Sequence, residues 1–291
     1  MTITMKRRTL LCSAAAAAAW PLAASTETSS GKARLRSAIC AYSFRNELQK
    51  KTMTYEDLVR LAVDLNVDGL DLTVYWFPNT SDEFLLPLRR LAYRSGVEIY
   101  SISIRTNMCQ PTAELRLKEY NDVCRWVDAA AKLGAGHIRV FGGNVPKDAS
   151  EDAAAGWVAE ILKRAADYSG AKGVILGLEN HGGITARGQR IVDIVRSVGS
   201  PWVGINLDTG NFREQPMEQI TLCAPYAVNV QVKEKMRLEG AVADSDWSRI
   251  AALLVKTGYK GYLALEYEEK EPAPAAVPRL IRKLKAAIGQ A

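Results

Sequence analysis

The residues best suited to chemistry in this sequence are carboxylates that end short apolar runs. The stretch VILGLENHGG, residues 174–183, opens as an apolar run and delivers Glu179 where a turn begins. Two later runs share the design, since VGINLD ends on Asp208 and YLALE ends on Glu266. A buried strand that carries an acid at its end packs poorly, because burying a charge costs free energy. These acids therefore indicate a functional site.

A fourth apolar run, AVNVQV at residues 227–232, carries the amide of Gln231. Each gap between successive members of the set is long enough for a loop, a helix and a new parallel strand. We therefore expect four oxygen-bearing side chains to converge on one divalent cation. All-oxygen ligation favours Mn²⁺ or Mg²⁺ over Zn²⁺. The expected metal ligands are Glu179, Asp208, Gln231 and Glu266.

The elements that would position these side chains alternate along the chain. Strands are predicted at 38–42, 69–73, 98–104, 137–141, 174–179, 203–207, 227–232 and 262–266. Helices are predicted near 55–65, 82–95, 112–133, 150–172, 185–198, 216–223, 246–257 and 275–289. This alternation predicts an α/β fold, a closed parallel (β/α)8 TIM barrel in a single domain. An open doubly wound sheet is the alternative, but no GxGxxG or Walker motif supports it.

Side-chain alternation along the predicted strands separates an aliphatic face from a polar one. The polar face carries the four candidate ligands together with Asp71 and Arg139. Barrel interiors are usually filled by branched apolar side chains. The polar face therefore predicts a pocket that runs into the lumen, where Asp71 and Arg139 would pair and orient ligands.

Four motifs in order resemble the xylose isomerase-like TIM barrel family, the sugar phosphate isomerase/epimerase group. They are LEN with Glu179, LDTGN with Asp208, QVKE with Gln231 and LEY with Glu266. The resemblance covers roughly residues 35–290, and the barrel domain is predicted at 35–291. It implies a site for Mn²⁺, Mg²⁺, Co²⁺ or a related divalent ion such as Zn²⁺. Gln231 departs from the usual His, and Asn211 stands where many sugar epimerases carry another His.

The resemblance implies a metal-dependent isomerase or epimerase of a sugar or keto-sugar. The metal would stabilise an enediolate, while Glu179 and Glu266 would exchange a proton. A lyase or hydrolase of keto-glycosides, or a dehydratase, is one alternative, and a non-catalytic carbohydrate-binding barrel is another. A DNA-repair endonuclease of this fold is disfavoured, because its multi-zinc site needs many His and the sequence has 2.

Further side chains are expected to contact the substrate. His181 lies just past Glu179, Lys233 shares the face of Gln231 and suits an oxyanion, and Trp76 offers a ring for stacking on a sugar. The full expected set is His181, Lys233, Trp76, Asn211 and Arg139. The charged run at 268–271 is interpreted as a solvated surface.

The first 25 residues have the order of a secretory signal, with Lys6-Arg7-Arg8 before an Ala-rich run and small residues at 23–25. The Arg7-Arg8 pair predicts the twin-arginine route, with a Sec signal as the alternative. We therefore expect export to the periplasm or the exterior, with residues 26–34 as a linker. The apolar run is too short for a membrane anchor.

Net charge limits the classes of possible partner, and the cysteine pattern bears on disulfide bonding. The formal net charge is +6, and part of it belongs to the leader. Since no basic run follows, we expect no nucleic-acid partner. The family resemblance implies a small-molecule carbohydrate as the partner. The sequence leaves the oligomeric state open, a homo-oligomer included. The scattered cysteines favour free thiols over a disulfide.

Overall fold

The computed structural model describes residues 34–289 and contains a closed barrel of eight parallel strands. The eight barrel strands are β1 Arg36–Cys40, β2 Gly69–Thr73, β3 Glu98–Ser103, β4 His137–Phe141, β5 Ile175–Glu179, β6 Val203–Asp208, β7 Ala227–Val232 and β10 Tyr262–Leu265. A separate two-stranded sheet consists of β8 Lys235–Leu238 and β9 Ala241–Asp244. β10 is the eighth barrel strand and pairs with β1, which closes the barrel. The TIM barrel prediction is confirmed. The predicted signal segment at 1–25 and linker residues 26–33 lie outside the described residues.

The helices lie between the strands, as the alternation predicts. They are α1 Arg45–Gln49, α2 Tyr55–Asp64, α3 Asp82–Arg94, α4 Ala113–Leu133, α5 Glu151–Ala171, α6 Gly188–Val198, α7 Pro216–Cys223, α8 Trp247–Lys256 and α9 Ala273–Gly289. Four helices are capped at the N-terminus by a side-chain oxygen that accepts a hydrogen bond from a backbone N–H group of the first turn. The capping residues are Thr54, Thr112, Ser150 and Asp246. Within the described residues, no helix combines the length and apolar character needed to cross a membrane.

The hairpin of β8 and β9 was not predicted. It turns through Glu239 and Gly240, both with positive φ, of 48° and 83°. A turn with two left-handed residues suits a tight hairpin. Each strand has only four residues, and β9 is mostly exposed. The alternation of apolar and polar residues in these two strands was therefore too short to distinguish them from a loop.

The two faces of the barrel strands divide as predicted. Aliphatic side chains such as Leu72, Ile138 and Leu178 pack under the helices and are fully buried. Polar side chains of the opposite parity fill the lumen. Among the described residues, Cys40, Cys109, Cys124 and Cys223 are free thiols.

The lumen is filled by a hydrogen-bonded network, which corrects the prediction of a pocket that reaches into it. The Tyr100 hydroxyl donates to Asn229 Oδ1 at 3.1 Å, and Asn229 Nδ2 donates to Asn206 Oδ1 at 2.7 Å. At the other side, Ser101 and Ser103 donate to the same oxygen of Asp71, each at 2.9 Å. These buried polar groups satisfy one another. A substrate must therefore bind above them, at the mouth.

Candidate active site

The barrel mouth holds a cavity of about 230 Å³ at the C-terminal ends of the strands. This is the face where TIM barrels carry their active sites. The cavity is lined by Tyr42, Tyr75, Arg105, Arg139, Phe141, Glu179, His181, Asn211, Lys233, Glu266 and Glu268. Six of the nine predicted site residues are in this set. The three that are not are Trp76, Asp208 and Gln231.

Glu179, the last residue of β5, is buried and surrounded by donors. Its Oε2 lies 3.0 Å from Nε of Arg139. Its Oε1 lies 2.8 Å from Nδ1 of His181 and accepts a hydrogen bond from Nδ2 of Asn211 at 3.0 Å. Burial alone would raise the pKa of Glu179, but Arg139 and His181 hold that pKa below its ordinary value. Glu179 is therefore ionised at neutral pH. Arg139 pairs with Glu179, and not with Asp71 as predicted.

Lys233 follows β7 and lies among acidic side chains. Its Nζ is 3.2 Å from Oδ2 of Asp208 and 3.5 Å from Oε1 of Glu266, and it also contacts Glu268. Nζ donates a hydrogen bond to Oδ1 of Asn211 at 3.0 Å. Burial alone would lower the pKa of Lys233, but these carboxylates hold it well above its ordinary value. Lys233 is therefore a fixed cation at the mouth.

Asp208 lies beneath Lys233 and does not line the cavity. Asn180 positions the end of β6, because its amide donates to the Asp208 carbonyl at 2.8 Å and accepts from the Asp208 N–H at 2.9 Å. Asp208 Oδ1 accepts from the N–H of Gly210 at 2.8 Å. Burial raises the pKa of Asp208 to about 6, against the opposing charge of Lys233. Asn180 is a positioning residue that the sequence interpretation overlooked.

Glu266 follows β10 and is buried beside two other acids. Its Oε2 accepts a hydrogen bond from the Cys40 thiol at 3.3 Å. Burial raises the pKa of Glu266 well above its usual range, and repulsion from Asp208 adds to the rise although Lys233 opposes it. Glu266 is therefore biased toward its protonated form. The pKa values of the two acids of the cavity, Glu179 and Glu266, are thus shifted in opposite directions.

Gln231 points into the lumen. Its Nε2 donates to Oδ2 of Asp71 at 3.0 Å, and its Oε1 accepts from Nδ2 of Asn206 at 2.8 Å. The carboxylate of Asp71 needs a donor, which places the Gln231 nitrogen on that side. Its carbonyl oxygen, the atom predicted to bind a metal, is committed to Asn206.

An aromatic wall faces the charged side of the cavity. Tyr75 lines it, whereas Trp76, the predicted stacking residue, lies behind and stacks on Tyr42 with ring centroids 6.2 Å apart. The Arg105 guanidinium lies 4.1 Å from the ring centroid of Tyr75. Phe141 packs on the His181 ring at 4.2 Å. The wall offers ring faces and a cation to a polar ligand.

Five lining residues lie outside the predicted set, namely Tyr42, Tyr75, Arg105, Phe141 and Glu268. Phe141 ends β4 and Arg105 follows β3, so position at a strand end could have identified both. Glu268 belongs to the run interpreted as a solvated surface, but it contacts Lys233 and lines the cavity. Its place two residues after Glu266 was the available signal.

The residues at the mouth do not fit the metal site predicted for them. Among residues 34–289, no group of three or more His, Cys, Asp or Glu side chains is arranged to hold a metal ion. Lys233 lies between Asp208 and Glu266, and Gln231 is turned into the lumen. The ammonium of Lys233 thus lies between two of the predicted ligands, and a third is turned away from them.

The comparisons with known proteins agree on the fold. A family model described as xylose isomerase-like TIM barrel matches residues 59–287. The solved structure of D-psicose 3-epimerase with D-tagatose from Clostridium cellulolyticum H10 is similar, with a TM-score of 0.71 at 17% identity, covering 87% of this chain and 97% of that chain. A 3-keto-D-glucoside 4-epimerase from E. coli in its apo form gives 0.66 at 15% identity, with 88% and 100% covered.

A probable 3-DHS dehydratase from Bacillus anthracis is also similar, with a TM-score of 0.67 at 15% identity, covering 86% of this chain and 98% of that chain. Likeness at such identities shows the fold and leaves the reaction open. A search of curated proteins found no match to this sequence.

Proposed function

Because the chain belongs to the xylose isomerase-like TIM barrel family, we propose that it is an isomerase or epimerase of a sugar or keto-sugar. The reaction would move a proton at a carbon beside a carbonyl group. The observation that carries this proposal is the pair of buried acids in one cavity, Glu179 held ionised and Glu266 biased toward protonation. Two titratable groups with pKa values pushed apart are the arrangement expected of a catalytic base and acid.

In the proposed reaction, Glu179 accepts the proton when the substrate C–H bond breaks. The electron pair moves onto the carbonyl oxygen, which becomes the oxyanion of an enediolate. Glu266 then donates its proton to carbon. Return to the opposite face of the same carbon inverts it. Return to the neighbouring carbon, with transfer of the hydroxyl proton to the former carbonyl oxygen, isomerises the sugar. Fixed charges aimed at the developing oxyanion stabilise it most effectively when water is excluded.

The cavity supports a carbohydrate substrate. Its volume of about 230 Å³ suits one sugar unit, and its lining combines aromatic faces with charged and amide side chains. Two of the similar structures are epimerases of a ketose and of a keto-glucoside. Arg139 donates to the Tyr75 hydroxyl at 3.2 Å, so its guanidinium positions both Glu179 and the ring that would face the sugar.

A dehydratase or a lyase of keto-glycosides is the second candidate. The structural similarity to a probable 3-DHS dehydratase favours it. Elimination begins with the same proton removal and enediolate, and it differs only in the departure of a leaving group. Glu266 as an acid would then protonate that group. A non-catalytic carbohydrate-binding barrel would need neither acid.

Incubation of the purified protein with keto-sugars and keto-glycosides in D₂O separates these candidates. Deuterium at carbon without bond cleavage indicates an isomerase or epimerase. Deuterium with loss of water or of an aglycone indicates a lyase. No exchange with any substrate, in a folded protein that binds sugars, contradicts both and favours the binding protein.

We also propose that residues 1–25 direct export, as the Arg7-Arg8 pair and the Ala-rich run predict. N-terminal sequencing of protein from the periplasmic fraction should find the leader removed. Protein that keeps Met1 and stays in the cytosol would contradict export.

A further inference from the structure

We propose that the ammonium of Lys233 stands where the family resemblance places a divalent cation, so that this site uses a lysine in place of a metal ion. That Lys233 stabilises an oxyanion rests on the proposed function. That its ammonium occupies the position of the metal ion can be tested without any substrate.

The first observation is the surroundings of the ammonium. Three of the four strand-end side chains predicted to hold a metal are acids, and two of them, Asp208 and Glu266, lie 3.2 Å and 3.5 Å from Nζ of Lys233. Glu268 and Asn211 complete the shell. The lysine side chain is only 14% exposed. The ammonium is therefore a built element of the mouth, unlike a surface lysine.

The second observation is how the chain positions that ammonium. The aliphatic stem of Lys233 packs against Gly210, where a Cβ would lie 2.7 Å from Cδ and 2.9 Å from Cβ of the lysine. Carbon atoms that are not bonded approach to about 3.5–4.0 Å. Only glycine therefore leaves room for this stem. The Lys233 carbonyl accepts a hydrogen bond from Nε1 of Trp247 at 3.0 Å, which fixes the backbone.

The third observation concerns the predicted ligands that do not face the ammonium. Gln231, which stands where the family usually carries His, is fully buried, and its amide joins Asp71 to Asn206. Both oxygens of Glu179 are taken by Arg139, His181 and Asn211. A divalent ion would have to displace the ammonium and break these contacts. The like charge of lysine also opposes such an ion.

The chemical consequence follows from the place of the ammonium. A substrate carbonyl oxygen in the cavity can accept a hydrogen bond from Lys233 while Glu179 removes the neighbouring proton. The ammonium stabilises the oxyanion as a fixed charge and stays protonated throughout. Glu266 returns a proton to carbon, and the two acids recover their starting states by exchange with solvent.

The test compares Mn²⁺ binding by the wild-type chain and two matched double variants. Lys233→Met with Gln231→His removes the ammonium and introduces the His that the family carries. Lys235→Met with Gln231→His removes a neighbouring hairpin lysine, which pairs with Asp244, and keeps Lys233. Bound Mn²⁺ is measured by elemental analysis and by loss of the free-ion electron paramagnetic resonance signal. Thermal unfolding shows that each variant is folded and whether Mn²⁺ stabilises it.

The wild type and the Lys235 variant should bind no stoichiometric Mn²⁺, and neither EDTA nor Mn²⁺ should shift their Tm. The Lys233 variant should bind about one ion per chain, as a single site requires, and its Tm should rise with Mn²⁺. The single Lys233→Met change should bind more weakly than the double variant. About one tightly held ion in the wild type, or a folded double variant that binds none, would overturn the proposal.

The result is separable from the proposed function. If the wild type neither binds Mn²⁺ nor converts any sugar, the proposal that Lys233 replaces the metal ion is supported. The isomerase or epimerase proposal is then contradicted. A wild type that needs Mn²⁺ for turnover supports that function and overturns the lysine proposal.

Discussion

Removal of Arg139 should destabilise the barrel far more than loss of a surface ion pair. The side chains of Arg139 and Glu179 are only 4% and 3% exposed, with Nε and Oε2 3.0 Å apart. Arg139→Met leaves the Glu179 charge buried with His181 and Asn211 as its remaining donors. Breaking a buried pair in this way costs about 3–5 kcal/mol. At about 2–4 °C per kcal/mol for a domain of this size, Tm should fall by roughly 6–20 °C.

The loss of stability caused by Arg139→Met should depend on pH. In the wild type the pKa of Glu179 lies below its ordinary value, so stabilisation by the pair is present above the unfolded pKa and is lost as pH falls through the folded one. Without Arg139, burial should raise that pKa, so the folded variant binds more protons than the unfolded chain. Its stability should therefore fall as pH rises. The difference from wild type should be larger at neutral pH than near pH ~4, close to the ordinary Glu pKa.

Urea unfolding of Arg139→Met, Glu179→Gln and the double variant gives the coupling energy of the pair. Arg60→Met is the control, because the Arg60–Asp57 pair has side chains 63% and 43% exposed and should contribute at most about 1 kcal/mol. An Arg139→Met variant as stable as Arg60→Met, or one whose deficit is independent of pH, would refute this reasoning.

Three further predictions concern residues at the barrel mouth. The profile of kcat/KM against pH should be bell-shaped, rising at acid pH as Glu179 ionises and falling at a pH above the usual Glu range as Glu266 deprotonates; a flat profile would exclude this pair. Gly210→Ala should displace the aliphatic stem of Lys233 and lower kcat/KM by about 10²-fold. The circular dichroism spectrum and Tm should stay near those of the wild type. Unchanged kinetics would show that the stem adjusts to the added methyl group. Arg105→Met should raise KM by about 10- to 100-fold with kcat nearly constant, since a lost charged hydrogen bond is worth about 1.5–3 kcal/mol. Initial rates over a range of substrate concentrations would show an unchanged KM if Arg105 does not bind substrate.

The barrel could be predicted from the sequence because its signals are local and repeated. Strand ends were predicted to within two residues, since short apolar runs alternate with amphipathic helices and both have clear periods. The division into an aliphatic and a polar strand face could also be predicted, because the backbone imposes the alternation of side chains along a strand. Position at strand ends placed Glu179 and Glu266 in one cavity.

Partner choice at the mouth could not be predicted in the same way. Strand parity places Gln231 in the lumen but does not say that Asp71 and Asn206 are its partners. Lys233 was expected at the substrate, and nothing local showed that its ammonium would lie among the predicted ligands. Such contacts depend on side chains from different strands and loops. Trp76 and Tyr75 are adjacent in sequence, and the short helical turn at Val74–Trp76 decides which one faces the cavity.

Deuterium exchange by the Glu266→Gln variant tests the two-acid account most directly. With a substrate of the wild type in D₂O, this variant keeps Glu179 as base but lacks the acid that completes turnover. Recovered substrate should carry deuterium beside its carbonyl group, while product formation falls by about 10²–10⁴-fold. Glu179→Gln should lose exchange and turnover together. Product formation by Glu266→Gln at a rate near wild type would contradict the account.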